Sequence, residues 1–341
     1  MTHEFKKIVH SHILAKEKGE ACVLASVVAL DGSSYRRPGV RMLILESGAM
    51  IGAVSGGCVE KEVLRQATSV FKDRLPKMMT YDGRYRLGCE GILYILLEPF
   101  CPDDIFLGTF RDNLLKRNPF LLSSQFVKGE GNFPGMGSMV KFGDGSLHPL
   151  GKDNDVPMLT EGEFDILEQQ MTPCFRLLLI GAEHDAVQLC TMASAMGWEV
   201  TVYAAPLEEK TLADFPGAHE LYTCMPEEIA VNSIDAQTAV VVMTHSFVKD
   251  LQYLQHLSAC EPAYLGLLGP GRRREKILDE LMERKPDVSH HFFELIHGPA
   301  GINIGAETPQ EIAVSILAEI LSVTREQPPM PLKDKTGSIH S

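Results

Sequence analysis

Short apolar runs alternate with helical patterns in the second half of the chain, and this alternation constrains the fold more than any other feature. The apolar runs cover 175–181, 198–203, 239–243 and 263–268, and helical patterns cover 184–196 and 272–284. Strands that alternate with helices form parallel sheets, with helices on the two faces. We therefore predict a Rossmann-like, doubly wound parallel sheet over 173–324, within an α/β protein.

A last helix is predicted from residue 309 to about residue 323. Thr308 precedes it, Pro309 occupies its first position and Glu311 its third, which is the pattern of a capped helix start. The following segment, 325–341, contains three prolines and no hydrophobic periodicity. We predict that this tail is disordered.

The first half has a different organisation, predicted as a separate α+β domain with a mixed sheet over residues 1–150. A helix is expected over 1–20, a buried strand over 21–30 and a hairpin formed by 41–45 and 50–54. A helix follows to about Asp73, and short strands separated by glycine turns cover 120–150. Residues 151–172 are polar and are predicted to be a linker.

The charge and hydropathy of the chain exclude some classes of protein. A net charge of −13 and a pI near 5.4 argue against general binding to nucleic acid or anionic membranes. No apolar run approaches the roughly 20 residues of a membrane span. No apolar segment follows the lysines of the first residues, so no signal peptide is recognised and a cytoplasmic location is expected.

Eight cysteines are scattered along the 341 residues, and none forms a C-x-x-C pair. Their number and spacing argue against a disulfide scaffold, a zinc ribbon and a thioredoxin-like site. Cys22, Cys190 and Cys260 lie in apolar or helical surroundings and are expected to fill the core.

The segment Ser55-Gly56-Gly57-Cys58 joins an apolar run to a helical pattern. Two glycines permit a sharp turn and close approach to a ligand. Cys58 is predicted in the first turn of the helix, where the helix dipole and free N–H groups stabilise a thiolate. The alternative is a tight strand–helix joint that holds a small buried residue.

A second cysteine, Cys89, has a similar glycine-rich setting in Leu87-Gly88-Cys89-Glu90-Gly91. The neighbouring carboxylate of Glu90 would raise a thiol pKa, which makes activation of Cys89 less favourable than activation of Cys58. The alternative is a turn residue without chemistry.

Several segments, in this order, resemble the xanthine dehydrogenase accessory (XdhC/CoxI) family. They are Gly32–Met42, Ser55–Glu60, Leu87–Gly91 with Leu97-Glu98-Pro99, Val242–His245, Tyr264–Gly269, Gly298–Ala306 and Thr308–Ala313. The resemblance covers nearly the whole chain. It implies a dimer with an N-terminal cofactor domain and a C-terminal Rossmann-like domain.

The resemblance also implies a maturation role rather than a turnover reaction. Members of the family bind the molybdenum cofactor (molybdopterin), help it acquire its terminal sulfur from a cysteine desulfurase, and deliver it to a molybdenum hydroxylase. Cys58 is then a candidate contact to molybdenum, since that metal is thiophilic. Cys89, Gly56 and Gly57 are further candidates.

Three arginines follow a glycine-serine turn in the first matching segment: Arg36, Arg37 and Arg41. Arginine forks bind phosphate bidentately, so these residues are candidates for the phosphate or nucleotide tail of the cofactor. Ser55 is a candidate hydroxyl donor. A solvated basic turn is the alternative for the arginines.

The glycine loop of the predicted Rossmann domain departs from the dinucleotide pattern. Gly181 is followed by Ala182, and Glu183 stands where a second glycine would approach a pyrophosphate. The acid expected after the second strand is replaced by Ala204-Ala205. These departures argue against NAD(P) binding, although a nicotinamide-dependent oxidoreductase stays an alternative function.

Two further candidates lie at the carboxyl ends of the predicted parallel strands, where ligands of such sheets bind. His245 closes a strand and is a candidate for proton transfer or cofactor contact, with a core histidine as the alternative. Arg272 begins a helix after Gly269-Pro270-Gly271 and is a candidate anion contact. Gly181 belongs to the same edge.

The leading hypothesis is therefore a molybdenum-cofactor chaperone for a xanthine dehydrogenase-type client. The two alternatives are the oxidoreductase and a scaffold that docks client or desulfurase without holding cofactor.

Overall fold

The computed structural model describes residues 1–32, 37–55, 57, 59–83, 91–151 and 164–336. The chain divides into two compact units, Met1–Pro173 and Cys174–Ser341.

A five-stranded sheet forms the centre of the first unit. Its strands are β1 (Cys22–Asp31), β2 (Arg41–Leu45), β3 (Met50–Gly52), β4 (Lys77–Asp82) and β5 (Ile92–Pro99), in the order β3-β2-β1-β5-β4. Every neighbouring pair is antiparallel, so the predicted mixed sheet is wrong. The helix between β3 and β4 explains the difference, because it connects strands at opposite edges that do not pair with each other.

That crossover helix is α2 (Glu60–Asp73), and it covers one face of the sheet. Val63, Ala67 and Val70 are buried against β1 and β5 at helical spacing. The helix ends at Asp73 and is capped by Arg74, whose φ of 58° lies in the left-handed region.

A second, four-stranded antiparallel sheet lies in the same unit. Its strands are β6 (Phe120–Phe126), β7 (Gly137–Lys141), β8 (Leu147–Pro149) and β9 (Asp165–Met171), in the order β8-β7-β6-β9. β9 pairs with β6 along its whole length, so the prediction of a linker over 151–172 is wrong for this part. Only its last residue is buried, and this polar pattern explains why the strand was not predicted.

Helices α1 (Thr2–Glu17) and α3 (Asp104–Leu115) complete the first unit. A phenylalanine-rich core joins them to the two sheets: Phe5, Phe100, Phe106, Phe110, Phe120 and Phe142.

The second unit is the predicted doubly wound parallel sheet. Its strands are β10 (Arg176–Ile180), β11 (Glu199–Ala204), β12 (Glu220–Thr223), β13 (Thr238–Val242), β14 (Tyr264–Leu267) and β15 (Ile296–His297), in the order β12-β11-β10-β13-β14-β15. All five pairings are parallel, which confirms the predicted Rossmann-like topology.

Helices cover both faces of this sheet. One core contains residues of α4 (His184–Ala195) and α8 (Pro309–Thr324), and the other contains residues of α5 (Phe247–Leu257), α6 (Gly271–Arg284) and α7 (His290–Leu295). The Thr308 hydroxyl oxygen accepts a hydrogen bond from Glu311 N and so caps α8, and the Glu311 carboxylate accepts one from Thr308 N. This is the predicted capped helix start. Cys22, Cys190 and Cys260 are buried, which confirms their prediction as core residues.

The predicted disordered tail is described up to residue 336. It contains a short 3-10 helix, Leu332–Asp334, with exposed side chains. In the described parts of both units, no helix has the length and apolar character needed to cross a bilayer.

Candidate functional site

Three of the segments singled out in the sequence begin and end at the same end of the five-stranded sheet. Ser26 pairs with Arg41, Met42 pairs with Gly52, and Ile92 pairs with both Asp31 and Asp82. The connections 32–40, 53–59 and 83–91 therefore leave from this one end, which we call the motif end. The third connection is closed by a bond from Gly83 N to Gly91 O of 3.0 Å.

The motif end contains most predicted contacts of the first unit. Gly56, Cys58, Arg36 and Cys89 lie outside the described residues. Gly57 has a φ of 112°, in the region that favours glycine, and no atom within 4 Å of an added Cβ. Arg37 is exposed.

Ser55 and Glu60 hold the turn that precedes α2. The Ser55 hydroxyl donates to Glu60 Oε2 over 2.7 Å, and Ser55 N donates to Glu60 Oε1 over 2.9 Å. The same hydroxyl oxygen accepts from Gly57 N at 3.1 Å and Val59 N at 3.3 Å. Ser55 thus shapes the connection, and its proton is already used within it.

Glu60 is buried, with 8% of its surface exposed. Burial raises the pKa of this carboxyl, but hydrogen bonds from Ser55 and nearby backbone amides outweigh burial and lower the pKa overall. The helix begins at Glu60 with Val59 as its N-cap, two residues after Cys58. The prediction that Cys58 falls in the first helical turn concerns a residue outside the described ones and stays a prediction.

Arg41 does not lie on a solvated turn. Its side chain is buried, with 6% exposed, and its Nη1 donates to Gly39 O at 2.9 Å and to Gln169 Oε1 in β9. Gly39 has a φ of 98°, in the region that favours glycine, and an added Cβ would lie 2.7 Å from Gln169 Nε2. Arg41 fastens the end of connection 32–40 to the second sheet, and the prediction of a direct phosphate contact does not fit its burial.

A buried carboxylate near Arg41 was not predicted as a site residue. Glu98 is 2% exposed, and its oxygens accept from Ser138 N at 2.7 Å and Ser138 Oγ at 2.6 Å. Burial raises the pKa of the Glu98 carboxyl. Burial also lowers the pKa of the Arg41 guanidinium to about 10. Arg41 Nε and Nη2 have no hydrogen-bond partner among the described residues. The signal in the sequence was a glutamate that directly follows the apolar run 92–97.

Gly181 lies where β10 and β13 approach each other at the carboxyl edge of the second sheet. Its φ is 131°, and an added Cβ would lie 2.4 Å from Met243 O. This glycine therefore has a packing role that requires no ligand.

His245 and Asp185 meet at the same edge. His245 Nε2 lies 3.5 Å from Asp185 Oδ2 in the first turn of α4, and 48% of the histidine side chain is exposed. The φ of His245 is 57°, a left-handed conformation that is uncommon outside glycine. The prediction of a ligand contact at His245 fits its exposure, and the core alternative does not.

The three arginines at the start of α6 have separate roles. Arg272 is exposed. Arg273 pairs with the fully buried Asp250 and donates to His245 O at 3.4 Å. Arg274 donates to Ile296 O at 3.4 Å. Arg272 is thus the member of this group that faces solvent, as its prediction as an anion contact requires.

Sequence reasoning missed a hydrogen-bond group centred on Glu319 of α8. Its Oε2 accepts from Tyr264 Oη at 2.5 Å and from Gly301 N at 2.6 Å, and its Oε1 lies 3.2 Å from His297 Nδ1. Burial and the Glu319 carboxylate raise the pKa of Tyr264 far above its ordinary value. Glu319 is 55 residues from Tyr264, and nothing in the local pattern of α8 distinguishes it.

Among the residues the structure describes, no group of three or more His, Cys, Asp or Glu side chains is arranged to hold a metal ion. Cys58 and Cys89 are not among those residues.

Comparison with known proteins identifies the family. Residues 15–82 match the model of the XdhC and CoxI family, and residues 177–320 match the XdhC Rossmann domain. One relative, from Bacillus subtilis (strain 168), is described as a probable xanthine dehydrogenase subunit. It is 30% identical over 332 residues, covering 91% of this chain and 95% of that protein. The chain belongs to the XdhC and CoxI family. The resemblance found in the sequence motifs is therefore confirmed.

Two further proteins resemble this XdhC/CoxI chain along most of its length. "Molybdenum cofactor insertion chaperone PaoD" of Escherichia coli (strain K12) is 25% identical over 334 residues, covering 96% of this chain and 91% of that protein. A crystal structure described as a xanthine dehydrogenase from Bacillus halodurans superimposes with a TM-score of 0.76 at 25% identity, covering 95% of this chain and 98% of that one. Both units of the fold therefore have a counterpart in a solved structure.

Proposed function

We propose that this chain is a molybdenum-cofactor chaperone that binds the cofactor at the motif end and delivers it to a xanthine dehydrogenase-type molybdenum hydroxylase. The observation that carries the proposal is the convergence of connections 32–40, 53–59 and 83–91 at one end of one sheet. These connections contain two cysteines and two arginines of the candidate set. The name of the Escherichia coli relative supports the same role.

The chemistry of these side chains suits the cofactor as cargo. A thiolate at Cys58 or Cys89 provides a soft ligand near molybdenum or its sulfur. The exposed guanidinium of Arg37, with Arg36, provides paired donors for a phosphate. Ser55, Gly57 and Glu60 are joined by hydrogen bonds, so the described residues on either side of Cys58 are held close together.

The second unit supports the chaperone proposal over the oxidoreductase. The Asp185 carboxylate lies in the first turn of α4, where a Rossmann enzyme places a pyrophosphate, and it is paired with His245. A negative charge at that position disfavours a dinucleotide. Titration with NAD(H) and NADP(H) tests this, and Kd values below about 10 μM would favour the oxidoreductase.

The deciding experiment is cofactor analysis of the protein purified from cells that make molybdopterin. We expect molybdenum and pterin to co-purify, and Cys58→Ala to retain less of both. Cys224→Ala is the matched control, since Cys224 is a partly exposed thiol of the other unit. Absence of molybdenum and pterin, together with client activation by the cofactor-free protein, would favour the scaffold instead.

Sulfuration and dimerisation are further parts of the proposal. We expect a cysteine desulfurase to bind the loaded chaperone and the chaperone to be a homodimer. Sedimentation of the purified protein tests whether it is a homodimer. Co-sedimentation with the purified desulfurase tests whether the two proteins bind.

A further inference from the structure

An unprotected strand forms one edge of the parallel sheet. β12 is the first strand in the sheet order, and among the described residues it pairs only with β11. Val202 pairs with Leu221 and Ala204 pairs with Thr223, and Cys224 N donates to Ala204 O. By the alternation of a parallel ladder, Glu220 and Tyr222 therefore bond toward β11, and Leu221 and Thr223 direct their N–H and C=O groups outward. Free edges of this kind pair readily with another extended chain.

Large apolar side chains on β12 and in the segments that follow β11 and β12 are exposed. Leu207 is 94% exposed, Met225 is 51% exposed and Tyr222 is 46% exposed. Tyr222 also stacks on the buried Tyr203, with ring centroids 5.5 Å apart, which fixes its ring at the surface. Exposed apolar side chains on a free strand and in the segments that follow it and its neighbour offer contacts to a docked chain.

The same segment is strongly acidic. Residues 206–228, which we call the acidic edge, contain six Asp or Glu residues and one lysine. Glu208, Asp214 and Glu228 accept bonds from backbone amides of their own turns. Glu209 and Glu227 are exposed. A second copy of this surface would be repelled by its charge, whereas a basic chain would be attracted.

We propose that the acidic edge is a docking surface for an extended, lysine- or arginine-bearing segment of a partner protein, which adds to β12 as a further strand. Backbone hydrogen bonds to β12 would supply affinity, Leu207 and Tyr222 would contact apolar side chains, and the carboxylates would select basic ones. This surface belongs to the second unit, and the proposal does not depend on cofactor binding at the motif end.

Synthetic peptides test the proposal on the full chain. The probe is a peptide of alternating lysine and valine, and the control is the same peptide with every backbone nitrogen methylated, which carries the same charge but cannot donate strand hydrogen bonds. We expect the lysine–valine peptide to bind with a Kd below about 100 μM at low ionic strength. Hydrogen exchange should slow at the β12 amides. Equal binding of both peptides would overturn strand addition, and binding of neither would overturn the docking surface.

Two sets of variants locate the binding. Glu209→Lys with Glu227→Lys should weaken binding of the lysine–valine peptide about tenfold. Added salt should reduce this difference in Kd between variant and parent. Glu275→Lys with Glu283→Lys is the matched control, because these exposed carboxylates of α6 give the same change in net charge. Leu207→Ser, at a fully exposed position, tests the apolar contact without affecting folding. Equal weakening by the control pair, or slowed exchange at β12 that depends on protein concentration without peptide, would overturn the proposal.

Discussion

The hydroxyl of Ser55 donates to the buried carboxylate of Glu60 over 2.7 Å, and so closes the turn that contains Gly57 and precedes α2. This bond connects the segment with the most distinctive sequence to the first residue of a helix that covers the sheet.

Ser55→Ala should lower the free energy of unfolding by about 1 kcal/mol at pH 7, because it removes the hydroxyl that donates to the buried Glu60 carboxylate. The pKa of Glu60 is lowered in the folded state, so its contribution to stability is present above its unfolded-state pKa and is lost as the pH falls through the folded value. The difference between variant and parent should therefore shrink below pH 4.5, the ordinary glutamate value. Urea unfolding followed by circular dichroism, at several pH values, measures the difference in unfolding free energy between variant and parent. An equal difference at all pH values would contradict the role assigned to Glu60.

The arginines of the first unit should separate into a structural and a binding residue. Arg41→Ala removes the buried donor to Gly39 O and Gln169, and we expect a loss of about 2–4 kcal/mol in unfolding free energy. Arg37→Ala, at an exposed position, should change stability by less than about 0.5 kcal/mol and should reduce cofactor retention. Unfolding and cofactor analysis on the two variants are the measurements. Full cofactor retention by Arg37→Ala would remove that residue from the proposed site.

Gly181→Ala should strongly destabilise the second unit. An added methyl group would lie 2.4 Å from Met243 O, a backbone atom that cannot move without separating β10 from β13. Gly271→Ala is the control, since that glycine starts α6 with no atom within 4 Å of an added Cβ, and we expect it to be neutral or stabilising by up to about 1 kcal/mol. The single tryptophan, Trp198, is buried in the second unit, so its fluorescence reports unfolding of that unit. Similar unfolding midpoints for both variants would show that the strands can separate at no cost.

Breaking the Asp250–Arg273 pair should destabilise the second unit more than removing both partners. Asp250 is fully buried and also accepts from Thr244 N and Oγ1, so Arg273→Met leaves a buried carboxylate without its cation, at a cost of about 3–5 kcal/mol. The double variant Asp250→Leu with Arg273→Met should cost less than the sum of the single variants. Urea unfolding followed by Trp198 fluorescence gives the unfolding free energies of the parent, the two single variants and the double variant, which together form a double-mutant cycle. Simple additivity would mean that the two groups do not interact.

How far the sequence predicts this molecule depends on how local each determinant is. Strands of the parallel sheet are buried on both faces and therefore appear as continuous apolar runs, such as 176–180 and 238–242. The predicted arrangement of the first sheet was wrong because the crossover by α2 spans the full width of the sheet, which no local pattern encodes.

Site residues, too, were predicted correctly where their contacts are local in the sequence and missed where the contacts are distant. The capping pair Thr308 and Glu311 lies within one helical turn and was predicted correctly. Burial of Arg41 depends on Gln169, 128 residues away, and the bonds of Glu319 join residues from three elements. Charged residues are exposed in most proteins, so the sequence alone favours a solvated position for both.

Alkylation should distinguish Cys58 from the core cysteines and connect its thiol to function. Burial raises the pKa of Cys22 to about 12 and the pKa values of Cys190 and Cys260 to about 11, so at pH 7.5 these thiols are almost entirely protonated and shielded. We expect iodoacetamide to label Cys58 first in the native protein and to block activation of the client enzyme. Cys58→Ser should make the protein insensitive to the reagent, which separates this site from the partly exposed Cys101 and Cys224. Mass spectrometry of tryptic peptides gives the order of labelling. Full client activation by protein labelled at Cys58 would show that its thiol does not handle the cofactor.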